Sequence, residues 1–178
     1  MKEVQVLDKK FKVSIPEEEI QKRIKLLAKK IDKDMAGKDV IFLGILNGCF
    51  MFAGDLFKNI EIPCQITFLK LASYQGTVSS GTVKRLIGIN EDIAGKTVVI
   101  LEDIIDTGNT LESIIKQLKG YEPKEIKVAT LLYKPDAYIK DLPIDYIGFE
   151  IPNDFILGYG LDYDGFGRNL ADIYTIIK

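Results

Sequence analysis

Histidine is absent from the 178 residues, and so is tryptophan. With an ordinary pKa of about 6.5, histidine is the usual proton carrier at neutral pH. Acid–base chemistry in this chain must therefore use carboxylates, lysine, tyrosine, cysteine or groups of the substrate. A histidine-based triad and a histidine-ligated zinc site are both excluded. The two cysteines, Cys49 and Cys64, form neither a CxxC pair nor a metal-ligand spacing. They read as reduced core thiols. Long apolar runs are missing too: none approaches the roughly 18 residues that would read as a membrane-spanning helix. The opening MKEVQVLDKKFKV is charged and lacks the apolar centre of a secretion signal. The expectation is a cytoplasmic protein with no membrane partner. Nor is there an excess of either charge. Lys and Arg total 24 against 26 Asp and Glu, a net of −2, which gives no general attraction to nucleic acid.

What remains is an ordinary globular composition, 47% hydrophobic and 28% charged, of a length that favours one domain. No internal repeat or long linker divides it. Ser14-Ile-Pro-Glu17 has the S-x-x-E form of a capping box. Beyond it Ile20, Ile24, Leu27, Ala28, Ile31 and Met35 recur at helical spacing, and Gly37 marks the stop. Residues 40–46, VIFLGIL, are nearly all apolar, as a strand covered on both faces should be. Asn47-Gly48 then makes a turn into a short helix over 50–57. Further strands are expected at 65–71, 98–101, 126–132 and 146–149, with a helix over 108–119 ended by Gly120. Strands alternating with helices predict an α/β fold on a mainly parallel sheet flanked by helices. Ligands in such sheets sit at the carboxyl ends of the strands.

One such end carries the stretch EDIIDTGNT, residues 102–110. Its carboxylates, Glu102, Asp103 and Asp106, are costly to bury unless something pairs with them. Glu102 and Asp103 suit vicinal hydroxyls or a hydrated Mg²⁺, which binds through one or two carboxylates plus substrate phosphates. Thr107, Gly108, Asn109 and Thr110 have the opposite character. Placed at a helix start, their unpaired amides and hydroxyls form a phosphate cradle, and Gly108 lets the backbone come close. It is not a Walker A loop, because GxxxxGK[ST] is absent. Acids and amides together point to a sugar phosphate. The plainer alternative is that the acids merely cap the helix.

The run VVILEDIIDTGNTL closely resembles the phosphoribosyl-diphosphate-binding motif of the type I phosphoribosyltransferases. Neighbouring segments resemble their hypoxanthine-guanine members, from about residue 40 to 168 and in the family's order. The resemblance implies the type I phosphoribosyltransferase fold over 1–178 as one domain. A small hood would come mainly from about 1–15 and 140–178. The implied reaction belongs to purine salvage. The 5-phosphoribosyl group of 5-phosphoribosyl 1-diphosphate passes to N9 of hypoxanthine or guanine, giving IMP or GMP and pyrophosphate, with Mg²⁺ required.

Site roles are likewise what the resemblance implies. The phosphoribosyl group falls to Glu102, Asp103, Asp106, Thr107, Gly108, Asn109 and Thr110, its ribose hydroxyls on the acids and its 5′-phosphate in the cradle of 107–110. Asp106 also handles the proton at purine N7, as base or as electrostatic stabiliser. Pyrophosphate falls to Asn47 and Gly48, often beside a non-proline cis peptide, and to Arg168, with Ser73 and Tyr74 in a lid over 73–82. Asn47 stands where Lys or Arg is usual in relatives, so a backbone contact survives there and a charged one does not. The purine falls to Lys134, which donates to the C6 oxygen, to Phe155, which stacks on the base, and to Ile156 and Asp162. Mg²⁺ falls to Asp162, Glu102 and Asp103. Relatives are usually homodimers or homotetramers. Taken singly, these positions have ordinary readings: a turn at 47–48, a hairpin tip at 73–82, a surface lysine, a core phenylalanine and a turn aspartate. Two rival functions stand beside this one. One is transfer to another base, xanthine above all, which shares the C6 oxygen. The other is a regulatory nucleotide-binding protein on the same fold, for which a basic face would be expected.

Overall fold

A computed structural model describes residues 2–72 and 84–177, with the backbone alone at 72 and 84–87. The elements run β1 (Glu3–Val6), β2 (Lys9–Ile15), α1 (Glu17–Met35), β3 (Val40–Leu46), α2 (Phe50–Phe57), β4 (Cys64–Ala72) and β5 (Lys84–Ile87). There follow β6 (Thr97–Ile105), α3 (Asn109–Lys119), β7 (Glu125–Tyr133), β8 (Tyr146–Glu150), β9 (Ile156–Leu157) and β10 (Ile173–Ile176).

The central sheet has the order β5-β4-β3-β6-β7-β8. All its pairings are parallel except that of β5, which lies antiparallel on β4 at the edge. β3 and β6 sit in the middle, which explains their continuous burial. Alternation along each strand divides the sheet between two cores. Val40, Phe42, Val99 and Leu101 pack with α1 and α2 on one face. Ile41, Leu43, Val98 and Ile100 pack with Leu111, Ile114 and Leu118 of α3 on the other. Each fully buried side chain of this kind contributes roughly 1.5–3 kcal/mol.

A second sheet, β1-β2-β10-β9, joins the two ends of the chain in antiparallel pairs. Its strands are short, and β2 interleaves lysines with its apolar residues, so no long apolar run announces them. Among the described residues no helix is long and apolar enough to cross a membrane. Cys49 and Cys64 are free thiols; Cys49 is buried, whereas Cys64 is only half-buried.

Two local expectations need correction. Ser14 does not cap α1. It lies in β2 and its hydroxyl donates to the Ile173 carbonyl. Pro16 occupies the N-cap, and the Glu17 amide is satisfied by Asp172 Oδ1 at 2.9 Å. Proline offers no side-chain acceptor, so the cap comes from 155 residues away. The acidic pair is also not in a loop: β6 continues through Glu102 and Asp103 to Ile105, paired with β7. Pairing with β7 at Glu102 and again at Ile104 holds the acids extended.

Candidate active site

The carboxyl end of β6 supplies the acids, and its position in the sheet decides their burial. Strand alternation directs Glu102 and Asp103 to opposite faces, yet both border one cavity of about 480 Å³. Leu46 and Gly48 from the β3–α2 turn and Asn109 and Thr110 from the start of α3 complete that border. Glu102 is only 5% exposed. Burial, then the neighbouring Asp103, raises its carboxyl well above the carboxylate range. Burial likewise brings Asp103 up to about 6, although the Ile104 amide and the more distant Arg168 favour its charged form. Among the described residues no hydrogen bond or cation offsets the rise at Glu102. Two buried acids with so little protein compensation suit a cation or hydroxyl donors as partners.

The turn above them is built for close approach. The Leu46–Asn47 peptide is cis. Gly48 packs directly on Asp103: a Cβ there would fall 1.6 Å from Oδ2. From the other side Gly160 presses on the same turn, where a Cβ would meet the Gly48 carbonyl oxygen at 2.1 Å. Gly160 belongs to the loop that carries Asp162 and Arg168. Within it Arg168 bridges to Asp162 at 2.7 Å and donates to the Gly160 carbonyl at 2.7 Å, while Asp162 Oδ2 accepts from the Gly165 amide.

Past β6 the chain turns through Asp106, Thr107 and Gly108 into α3. Gly108 is the N-cap, in the left-handed region at φ 85°, and no side chain caps the helix. Beyond the Asn109 amide, its first-turn amides are left for an anion. The Tyr138 ring stands where a Cβ on Gly108 would be, 2.5 Å from it, and the Ile139 amide donates to the Thr107 carbonyl. The Thr107 hydroxyl accepts from the Asn109 amide at 3.4 Å.

Lys134 follows β7 and is buried, 7% exposed, not a surface lysine. Its ammonium lies 3.3 Å from Asp106 Oδ2, and its amide bonds to the Ile105 carbonyl. Phe155 is 44% exposed rather than core. Its ring meets Phe11 and Tyr163 edgewise or tilted, at 6.2 and 5.8 Å between centroids. Ile156 is buried in β9.

Comparison with known proteins places this arrangement. A phosphoribosyl transferase domain model matches residues 16–164. Hypoxanthine phosphoribosyltransferase of Escherichia coli is 41% identical over 169 residues, 93% of this chain and 94% of that one. Hypoxanthine-guanine phosphoribosyltransferase of Mycobacterium tuberculosis is 40% identical over 171 residues, 92% of this chain and 85% of that one. The crystal structure of a hypoxanthine-guanine phosphoribosyltransferase from Bacillus anthracis superposes with a TM-score of 0.88 at 39% identity, covering 93% of this chain and 98% of that one. The chain belongs to the hypoxanthine-guanine phosphoribosyltransferase family. It is a transferase of purine salvage.

In this phosphoribosyltransferase, then, Glu102, Asp103, Gly48, Asn109 and Thr110 meet around one cavity. Asp106 and Lys134 form a pair. Asp162 and Arg168 do not line that cavity; their loop abuts its Gly48 border at Gly160. Ser73 and Tyr74 lie outside the described residues. Members of the family use Mg²⁺, and the residues suit it: the donors are hard carboxylate oxygens, two of them buried and short of compensation. Among the described residues no three acids, cysteines or histidines form a ready-made cage. Sequence reasoning missed Tyr138 and Gly160 as shaping residues. The first sits in an unremarkable loop; the second had a signal in its glycine, but no way to say what it touched.

Proposed function

We propose that the chain transfers the 5-phosphoribosyl group of 5-phosphoribosyl 1-diphosphate to N9 of hypoxanthine or guanine, releasing pyrophosphate. The observation that carries this reading is the single cavity where the β6 acids, the cis turn and the uncapped start of α3 meet. Ribose hydroxyls are assigned to Glu102 and Asp103. The 5′-phosphate is assigned to the amides and hydroxyls of Thr107, Gly108, Asn109 and Thr110.

As the C1–O bond breaks, positive charge develops on the ribose and negative charge on the departing pyrophosphate. The amides of Asn47 and Gly48 and the Arg168 guanidinium are placed to stabilise the leaving group. Mg²⁺ held by Asp162, with Glu102 and Asp103, would neutralise part of that charge. Asp162 already accepts from Arg168 and Gly165, but a carboxylate has about four lone-pair sites, which leaves capacity for a hydrated ion.

Asp106 and Lys134 read adjacent atoms of the purine. An ammonium has three donors, so the bond to Asp106 leaves others for the C6 oxygen. Asp106 takes the N7 proton or stabilises the charge there, which frees N9 as nucleophile. An adenine amino group at C6 gives Lys134 nothing to bond to, and a buried group left unpaired rejects the wrong base. Phe155 offers an exposed face for stacking.

The test is steady-state kinetics with hypoxanthine, guanine, xanthine and adenine at fixed phosphoribosyl diphosphate and Mg²⁺. Turnover of the first two with adenine excluded is expected. Preference for xanthine would transfer the assignment to that base, and inactivity with all four would overturn it. We also expect a homodimer or homotetramer, to be measured by light scattering.

A further inference from the structure

Tyr159 sits between Gly158 and Gly160, and all three residues lie in the left-handed region, at φ 97°, 48° and 98°. Glycine adopts that conformation at little cost, tyrosine does not. A tyrosine persists there only where its surroundings hold it. Its ring is 1% exposed within the core beneath α1 and α2. Its hydroxyl donates to Asp55 Oδ2 at 2.5 Å, across 104 residues of chain. The same carboxylate accepts from Gln21 of α1 at 2.6 Å and pairs with Lys58 at 2.7 Å. Burial pushes Asp55 up, but these three donors together hold it below the ordinary carboxylate range. Burial, then the bond to Asp55, pushes the Tyr159 phenol up, so it remains a donor.

Asp55 lies on α2, the helix that begins just after the Asn47-Gly48 turn. Tyr159 precedes Gly160, which abuts the Gly48 carbonyl and heads the loop bearing Asp162 and Arg168. The turn and the loop are thus tied together at one partly buried bond. On the functional reading above, we propose that Tyr159 and Asp55 are positioning residues. Their hydrogen bond holds the 158–168 loop in register with the 47–48 turn, so that both engage pyrophosphate as one rigid surface. Neither residue touches substrate. Asp55 bears no resemblance to a binding motif, and Tyr159 alone would pass for an ordinary core aromatic.

The experiment uses the full chain as wild type, Tyr159→Phe, Asp55→Ala and Asp55→Asn. Readouts are KM for phosphoribosyl diphosphate, KM for hypoxanthine, calorimetric affinity for Mg-pyrophosphate, and Tm. Tyr159→Phe and Asp55→Ala should each raise KM for the diphosphate and weaken pyrophosphate about ten-fold, within what one charge-assisted, partly buried bond can supply. KM for hypoxanthine should stay within about two-fold. Asp55→Asn keeps an acceptor oxygen and should restore most of the loss. Unchanged pyrophosphate affinity in Tyr159→Phe would overturn the proposal. So would an equal loss for both substrates that follows Tm. A wild type that makes no nucleotide from hypoxanthine would instead bring down the functional reading.

Discussion

Asp106 and Lys134 stand 28 residues apart in the chain and 3.3 Å apart in the fold. Single side chains at this scale carry the chemistry. Asp106→Asn keeps the shape and loses the charge proposed to act at N7. It is expected to lower kcat far more than it weakens substrate binding; near-normal turnover would remove Asp106 from the mechanism. Lys134→Met should erode the preference for 6-oxo purines, read as the ratio of kcat/KM for hypoxanthine and adenine. Asp103 adds a pH effect whose sign is determinate. Its carboxyl is raised from 3.8 to about 6, mainly by burial, so the native chain holds this proton more tightly than the unfolded one. Its favourable contribution is present below 3.8 and is lost as pH rises through about 6. At about 1.4 kcal/mol per tenfold change in proton affinity, the full loss approaches roughly 3 kcal/mol. Asp103→Asn should therefore gain stability over the wild type across that interval. Urea unfolding of both proteins from pH 4 to pH 7.5 checks it, and a constant difference would refute it.

At the scale of elements, close packing between turns and caps decides the outcome. Gly160→Ala places a Cβ 2.1 Å from the Gly48 carbonyl oxygen at a φ of 98°. Backbone cannot swing aside as a flexible side chain can, so the loop and turn must part. Lower Tm and a higher KM for phosphoribosyl diphosphate are expected. Asp172→Ala removes the acceptor for the Glu17 amide and the partner of Lys2 at 2.8 Å. Loss of the α1 cap should cost about 1–2 kcal/mol in denaturant unfolding, with Asp172→Asn milder because an amide oxygen still accepts. This cap shows where sequence reasoning stops at the element scale. The S-x-x-E spacing is a sound local signal, but Pro16 stands at the helix start and Ser14 is drawn into β2 by pairing with β10. Tertiary strand pairing outweighs a local capping preference.

Across the whole molecule, the two sheets share one core. Ile15, Ile156, Tyr159, Leu161 and Ile173 pack in the same cluster as Ile20, Phe42, Val99 and Leu101. A shared core makes separate melting costly, because either sheet alone would expose the apolar surface of both. We therefore expect a single calorimetric transition in which near-ultraviolet and far-ultraviolet signals coincide; two resolved transitions would divide the chain into independent units.

Residues 40–46, 50–57 and 108–120 declare their structure directly, since continuous burial, helical spacing and terminal glycines are local patterns. The proposal of a sugar phosphate at the acid-and-glycine stretch 102–110 likewise rests on chemistry written in consecutive residues. The short strands of the second sheet are not legible in that way, because each gains its order from a partner at the far end of the chain. The same holds for the burial of Lys134, the Asp172 cap and the Tyr159–Asp55 bond. Sequence determined the local periods and the chemistry of the phosphate turn. Tertiary structure alone decided which charges lose water and which partner each one meets, because those energies arise from contacts 28, 104 and 155 residues apart.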